Sequence, residues 1–128
     1  MTALPKNSPS PTLLIVDDEQ LIIDLVSGFL SEFDYQIFTA NDAHQATNIL
    51  QQQAIDVMIT DHQMPDVTGL TLCHNTKSLY PKIKMILTSG NVAQFSEQEL
   101  SAHGVDLVLA KPISLIDLAN DVEQLTKS

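Results

Sequence analysis

The 128-residue chain contains no arginine or tryptophan, and its 6 lysines are set against 16 aspartates and glutamates, for a formal net charge of −10. Nucleic-acid surfaces need clustered basic side chains that displace counterions, so we expect no direct nucleic-acid binding. Cys73 is the only cysteine, which rules out an internal disulfide, and its place in a helical pattern predicts a small buried side chain. No apolar run approaches the ~20 residues of a membrane span and no signal segment is present, so we expect a soluble cytoplasmic protein without membrane contact.

The chain divides into a short polar beginning and one longer unit. Residues 1–11 contain three prolines among small polar residues, which predicts a flexible arm, and residues 12–128 predict a single domain. Within the domain, strand-like and helix-like segments alternate five times, which predicts a parallel five-stranded α/β sheet with helices on both faces. The predicted strands are 13–16, 35–40, 57–61, 84–89 and 107–110. The predicted helices are 20–32, 42–52, 68–80, one between Ser96 and Gly104, and one from Ser114.

Chemistry-bearing side chains stand where four of these five strands end. They are Asp17 and Asp18 after the first, Asp61 after the third, Thr88 and Ser89 after the fourth, and Lys111 after the fifth. With strand order 2-1-3-4-5, these four ends line one crevice. Three neighbouring carboxylates raise one another's pKa unless a cation is present. Mg²⁺ fits this need best, because it accepts a few carboxylates and keeps water or phosphate oxygens as its other ligands.

A metal ion, the Lys111 ammonium and the Thr88 hydroxyl around a central carboxylate suit a phosphoryl group in transfer. Such a group spreads its charge over three oxygens, and its transfer depends mostly on positioning and electrostatic neutralisation. Asp61 is the best nucleophile candidate, since it stands alone in the crevice rather than paired with another acid. Transfer to Asp61 would form an aspartyl-phosphate.

From Thr12 to Lys127 the chain resembles the receiver domains of two-component response regulators. The motifs that carry the resemblance are the Asp17-Asp18 pair, the segment Asp61-His62-Gln63-Met64-Pro65 with Gly69, the Thr88-Ser89 pair and Lys111-Pro112. The resemblance implies a flavodoxin-like fold and Asp61 as the acceptor of a phosphoryl group from a sensor histidine kinase or histidine phosphotransfer protein. It also implies that Asp18, Asp61 and the backbone carbonyl of Gln63 bind Mg²⁺ directly and that Asp17 acts through water. Thr88 and Lys111 would contact the phosphoryl oxygens, and the Lys111-Pro112 bond would be cis.

The sequence departs from this family at Val108, where an aromatic residue commonly turns inward as the threonine moves. A valine has little rotameric freedom, so we expect the signal to travel through the loop after Thr88 and the weak helix from Ser96. Two alternative functions stay open: a phosphate-independent binding module, for which Val108 is the support, and a Mg²⁺-dependent phosphohydrolase. The phosphohydrolase interpretation is the weaker one, because this sequence contains no Asp-x-Asp-x-Thr motif and we expect no cap domain to hold a substrate.

The remaining expectations concern partners and minor residues. The first helix is apolar over half of its circumference, and we expect Ile23, Leu30 and Ile113 to receive the helices of a phosphodonor protein. The last two helices could form a homodimer, and the output partner is left open. We expect a signalling domain that promotes its own phosphorylation and dephosphorylation, not an enzyme acting on other substrates. His62 is expected at the surface beside the site, with its amide facing the phosphate.

Overall fold

The computed structural model describes residues 10–127 as alternating strands and helices. The strands are β1 (Thr12–Val16), β2 (Gln36–Ala40), β3 (Val57–Asp61), β4 (Lys84–Ser89) and β5 (Leu107–Ala110). The helices are α1 (Gln20–Leu30), α2 (Ala43–Gln52), α3 (Gly69–Leu79), α4 (Glu97–Ala102) and α5 (Leu115–Thr126). The sheet is parallel with the order β2-β1-β3-β4-β5, so the predicted fold class and strand order are confirmed. The predicted arm at 1–11 lies outside the described residues except for Ser10 and Pro11.

Alternate side chains of the central strands fill two separate cores. Leu14 of β1 and Met58 of β3 point to the core that also contains Ala46 and Cys73, under α2 and α3. Their neighbours in sequence, such as Ile15, point to the opposite core under α1 and α5. Successive side chains of a strand face opposite sides, so a continuous aliphatic strand is the pattern that a doubly covered sheet requires. No described helix is long and apolar enough to cross a membrane.

Cys73 lies in the first of these cores with no exposed surface, as the sequence predicts. Burial raises the pKa of its thiol to about 12. Because the thiolate is the reactive form, this cysteine is chemically inert at neutral pH.

The helix ends agree with the sequence signals to within one or two residues. The side chains of Asp42, Thr68, Ser96 and Ser114 cap the four helices α2 to α5 by accepting a hydrogen bond from a backbone N–H of the first turn. A 3₁₀ turn at Val92–Gln94 lies between β4 and α4 and was not predicted. No described side chain of α4 is buried, which agrees with the expectation that this helix is weakly held.

The sequence interpretation of α1 was wrong about the residues that face a partner. Ile23 and Leu30 are 2% and 0% exposed, because together with Val26 they form the stripe that packs on the sheet. The apolar residues on the outer face are Leu21 and Leu25, which are 81% and 57% exposed. A helical wheel cannot distinguish these two groups when apolar residues surround half of the helix.

Gly69 begins α3 against the loop that follows β3. A Cβ atom at Gly69 would lie 2.1 Å from the backbone oxygen of Asp61, and the Gly69 N–H donates to the His62 carbonyl at 2.8 Å. Only a residue without a side chain permits this approach, so Gly69 fixes the path of the chain directly after Asp61.

We expect Gly69→Ala to lower the free energy of unfolding by about 2 kcal/mol or more, since the added methyl forces apart two backbone segments. Gly28→Ala is the matched control: its Cβ meets nothing within 4 Å. At that helical position alanine should stabilise by about 0.5–1 kcal/mol. Urea denaturation measures both variants, and equal stability of the Gly69→Ala variant and the wild type would contradict the close-approach argument.

Candidate functional site

The carboxyl ends of β1, β3 and β5 bring two buried carboxylates to one lysine. Asp17 and Asp61 are 2% and 5% exposed. The Lys111 ammonium lies 3.1 Å from Oδ1 of Asp61 and 3.5 Å from Oδ2 of Asp17. Lys111 lies in the segment after β5, where its backbone N–H donates to the Ser89 carbonyl. The peptide bond between Lys111 and Pro112 is cis, as expected. Residues from three separate strands therefore form one ionic cluster.

The negative charge of this cluster exceeds what Lys111 neutralises. Burial raises the pKa of Asp17, with a further contribution from the charge of Asp61, although a hydrogen bond from the Glu19 N–H and the proximity of Lys111 oppose the shift. For Lys111, burial disfavours the ammonium, but the hydrogen bond to Asp61 and the charges of both carboxylates outweigh it and raise its pKa. Lys111 is thus held as a cation, while burial, and after it the charge of Asp61, opposes the ionisation of Asp17.

Asp18 completes a set of oxygen donors suited to a metal ion. One carboxylate oxygen each from Asp17, Asp18 and Asp61 lies within 4.8 Å of the others, and no other such group of three occurs in residues 10–127. Asp18 is exposed and lines an open cavity of about 500 Å³ together with Asp61, Gln63 and Lys111. A donor set made only of oxygens, with room for water, matches a hard divalent cation such as Mg²⁺. A dication would also supply the positive charge that Asp17 lacks.

Thr88 and Ser89 lie beside Asp61 on the adjacent strand. Thr88 is the register partner of Asp61, and both hydroxyl residues are buried. The Ser89 hydroxyl accepts hydrogen bonds from the Asn91 N–H at 3.1 Å and from the Gln94 amide at 3.3 Å. The structure thus places every predicted site residue at this edge, with Ser89 joined to the following loop.

His62 makes contacts that the sequence did not reveal. Its N–H donates to the Thr88 carbonyl at 2.8 Å, so the expectation that this amide faces the phosphate was wrong: it continues the pairing of β3 with β4. The imidazole is only partly exposed and lies edge-on to the ring of Phe95, with centroids 4.8 Å apart. Burial lowers the pKa of His62 and outweighs the opposing charges of Asp61 and Glu99. No spacing rule links positions 62 and 95, so only the fold could show the contact.

Val108 packs with Leu100 and Val105 against the core below α2 and α3. A shallow groove of about 320 Å³ between α4 and β5 is lined by Val108 and Leu100. The short valine side chain leaves open space beside α4, and it has no ring that could turn inward when Thr88 moves.

Comparisons with known proteins agree on one family. The sequence profile described as "Response regulator receiver domain" matches residues 13–123. The sensor histidine kinase RcsC of Escherichia coli is 32% identical over 103 residues, which are 80% of this chain and 11% of that protein. The response regulator GtcR of Aneurinibacillus migulanus is 34% identical over 109 residues, 84% of this chain and 44% of that protein. This chain therefore spans less than half of either relative.

A solved structure with a ligand in place is similar over nearly the whole chain. It is the response regulator TrrA of Thermotoga maritima in complex with Mg²⁺ and BeF, which superposes with a TM-score of 0.81 at 27% identity. The match covers 90% of this chain and 98% of that one.

We expect Asp17→Asn to raise the melting temperature of the metal-free protein at pH 7. Because the pKa of Asp17 is raised in the folded state, its ionisation opposes folding, and stability falls as pH rises from 3.8 through the folded pKa. At pH 7, above the unfolded pKa, the penalty is present, and it is complete once the pH exceeds the folded pKa. Asparagine removes it and can still accept the hydrogen bond from Glu19.

The control is Asp24→Asn, an exposed acid on α1 outside the cluster, which should leave the melting temperature nearly unchanged. Thermal unfolding in the presence of a chelator measures both variants. A lower melting temperature for Asp17→Asn would show that the ion pair with Lys111 outweighs the burial of the charge.

Proposed function

Because the chain belongs to the response regulator receiver domain family, the phosphoacceptor domains of two-component signalling, we propose that Asp61 accepts the phosphoryl group. The observation that carries this assignment is the 3.1 Å ion pair between Asp61 and Lys111 inside a cluster of three carboxylates. Asp61 is central in that cluster, in register with Thr88 and beside the open cavity.

The reaction is the displacement of a phosphoryl group from a histidine nitrogen. A carboxylate oxygen of Asp61 forms a bond to phosphorus as the bond from phosphorus to nitrogen breaks, and the imidazole leaves and takes up a proton. Lys111 then turns from the carboxylate to the phosphoryl oxygens, and the Thr88 hydroxyl donates to another of them. Hydrolysis of the acyl phosphate by water restores Asp61, so the domain promotes both its own phosphorylation and its own dephosphorylation.

We assign Asp18, Asp61 and the backbone carbonyl of Gln63 as direct Mg²⁺ ligands, with Asp17 bound through water. Asp18, Asp61 and Gln63 all line the open cavity and Asp17 is not among its lining residues, which supports direct contact for the first three and an indirect role for Asp17. Mg²⁺ supplies charge neutralisation for the transferred phosphoryl group. The chain itself supplies the nucleophile, the ammonium and the hydroxyl.

The donor protein is a sensor histidine kinase or a histidine phosphotransfer protein, docked beside the cavity. A small apolar groove of about 140 Å³ is lined by Leu25 of α1, by Lys111 and by Pro112 and Ile113. It adjoins the site through Lys111, so a helix that lies on Leu25 and Ile113 can present a phosphohistidine to Asp61. Leu21 and Leu25 take the place of Ile23 and Leu30 in this docking surface, and Ile113 is retained. The cytoplasmic location and the dimer through the last two helices stay predictions, and the output partner stays open.

We expect wild-type protein incubated with acetyl phosphate and Mg²⁺ to gain one phosphoryl group in intact-mass measurements. Asp61→Asn should gain none, because the nucleophilic carboxylate is gone, and a chelator should suppress the adduct in the wild type. Asp66→Asn is the matched control, since this acid is exposed in the same loop and its positive φ of 69° suits asparagine equally well. Full labelling of Asp61→Asn would overturn the assignment. A folded wild type that binds Mg²⁺ but gains no adduct would favour the phosphate-independent module.

Leu25→Glu should slow phosphoryl transfer from a phosphorylated histidine donor protein by about tenfold, because a charge in the groove prevents apolar docking. Transfer from acetyl phosphate, which needs no protein contact, should keep its wild-type rate. Leu79→Glu serves as the control, because Leu79 is an exposed leucine on α3 away from the groove, 70% exposed against 57% for Leu25. If Leu25→Glu slowed phosphoryl transfer from both donors equally, the proposed docking surface would be contradicted.

A further inference from the structure

We propose that the contact between His62 and Phe95 couples the occupancy of the Asp61 site to the 90–96 loop, the segment between β4 and α4. The inference rests on the proposed function of Asp61 and adds two positioning residues to it. Neither His62 nor Phe95 contacts the reacting atoms. They set the position of the loop that leads to α4.

The loop is tied to the site at both of its ends. At its start, the Ser89 hydroxyl holds the Asn91 N–H and the Gln94 side chain. At its end, Phe95 packs on the imidazole of His62 with the rings at 88° to each other. Ser89 directly follows Thr88, and His62 directly follows Asp61. A shift of either strand end therefore moves an anchor of the loop.

The two anchors are also joined to each other. The His62 N–H donates to the Thr88 carbonyl, which links the two strand ends between which a phosphoryl group would lie. The His62 ring has little freedom of its own, because the Leu70 N–H points to its Nδ1 at 3.4 Å and Phe95 covers its edge. Backbone movement at positions 61 and 62 is thus passed to Phe95 rather than absorbed by a side-chain rotation.

The segment that receives this movement is weakly packed. None of the described residues of the Val92–Gln94 turn or of α4 is buried. Phe95 and Leu100 are only partly buried, although both pack against the core. A segment with so few buried contacts can change position at low cost in free energy.

Val108 favours such a route. β5 has no aromatic side chain that could turn inward when Thr88 moves. Val108 therefore cannot transmit the state of the site to α4 by rotation of a ring. The aromatic ring of Phe95, which lies in the 90–96 loop, instead contacts His62, directly after Asp61.

The test is hydrogen exchange of the 90–103 backbone amides in three conditions: no added ligand, Mg²⁺ alone, and Mg²⁺ with beryllium fluoride as the phosphoryl mimic. In the wild type, both ligand conditions should change exchange in this segment. Phe95→Leu keeps apolar volume but loses the ring, and it should reduce the change about two- to tenfold, the range expected for loss of one edge-to-face pair. His62→Ala should act alike, and His62→Phe, which keeps a ring, should restore the response.

Phe33→Leu is the matched control, because Phe33 also lies in an edge-to-face pair, with Phe29, but on the far side of the molecule. Its response should equal that of the wild type. The coupling is overturned if Phe95→Leu and His62→Ala show the wild-type change in hydrogen exchange. It is also overturned if exchange in the wild-type 90–103 segment changes with neither ligand condition. Intact mass after acetyl phosphate treatment runs in parallel on every variant. Absence of the adduct in wild type counts against Asp61 phosphorylation, while the Mg²⁺ condition still decides the coupling.

Discussion

Two carboxylates, Asp17 and Asp61, are buried at the carboxyl edge of the sheet with a single ammonium, that of Lys111, between them. The rest of the site depends on this unequal grouping of charges. A buried charge is costly unless it is paired, and one lysine cannot pair with both acids and the nearby Asp18. The shortage of positive charge is what makes the site receptive to a dication. In the proposed reaction the same lysine would be free to neutralise an incoming anion, so a charge pattern that is unfavourable for the empty fold would favour phosphoryl transfer.

The parallel sheet is what allows so few residues to meet. Parallel pairing puts the ends of β1, β3, β4 and β5 at one edge, and the register sets Asp61 opposite Thr88 without any local sequence relation between them. Gly69 then brings the start of α3 against the backbone of Asp61. The apolar residues of the strands, which fill the two cores, also hold the acids in place, because a strand anchored on both faces cannot yield to the repulsion at its end.

The sequence was sufficient for the fold and for locating the predicted site residues at one edge of the sheet. Continuous aliphatic strands that stop at Asp17, Asp61, Thr88 and Lys111 indicate both the sheet and its active edge, since strand ends and ligand sites coincide in this architecture. It was not sufficient for what depends on packing between distant positions. The pairing of His62 with Phe95 follows from loop geometry, and the burial of Ile23 and Leu30 follows from how α1 rests on the sheet. In both cases the sequence shows which residues are apolar or aromatic, but it does not show which of them are buried or which neighbours they contact.

Val108 separates two properties that a receiver domain joins: acceptance of a phosphoryl group and its communication to a partner. The groups that carry the chemistry are held by strands and by the Lys111 segment, so a short side chain on β5 leaves them untouched. Communication needs a part of the molecule that can move, and strands packed on both faces are poor candidates. The 90–96 loop meets the requirement, because it has few buried side chains and is attached to the site through Ser89 and His62. If the proposed coupling holds, the chemistry of this chain lies in the sheet and the signal leaves through the weakly packed 90–96 loop.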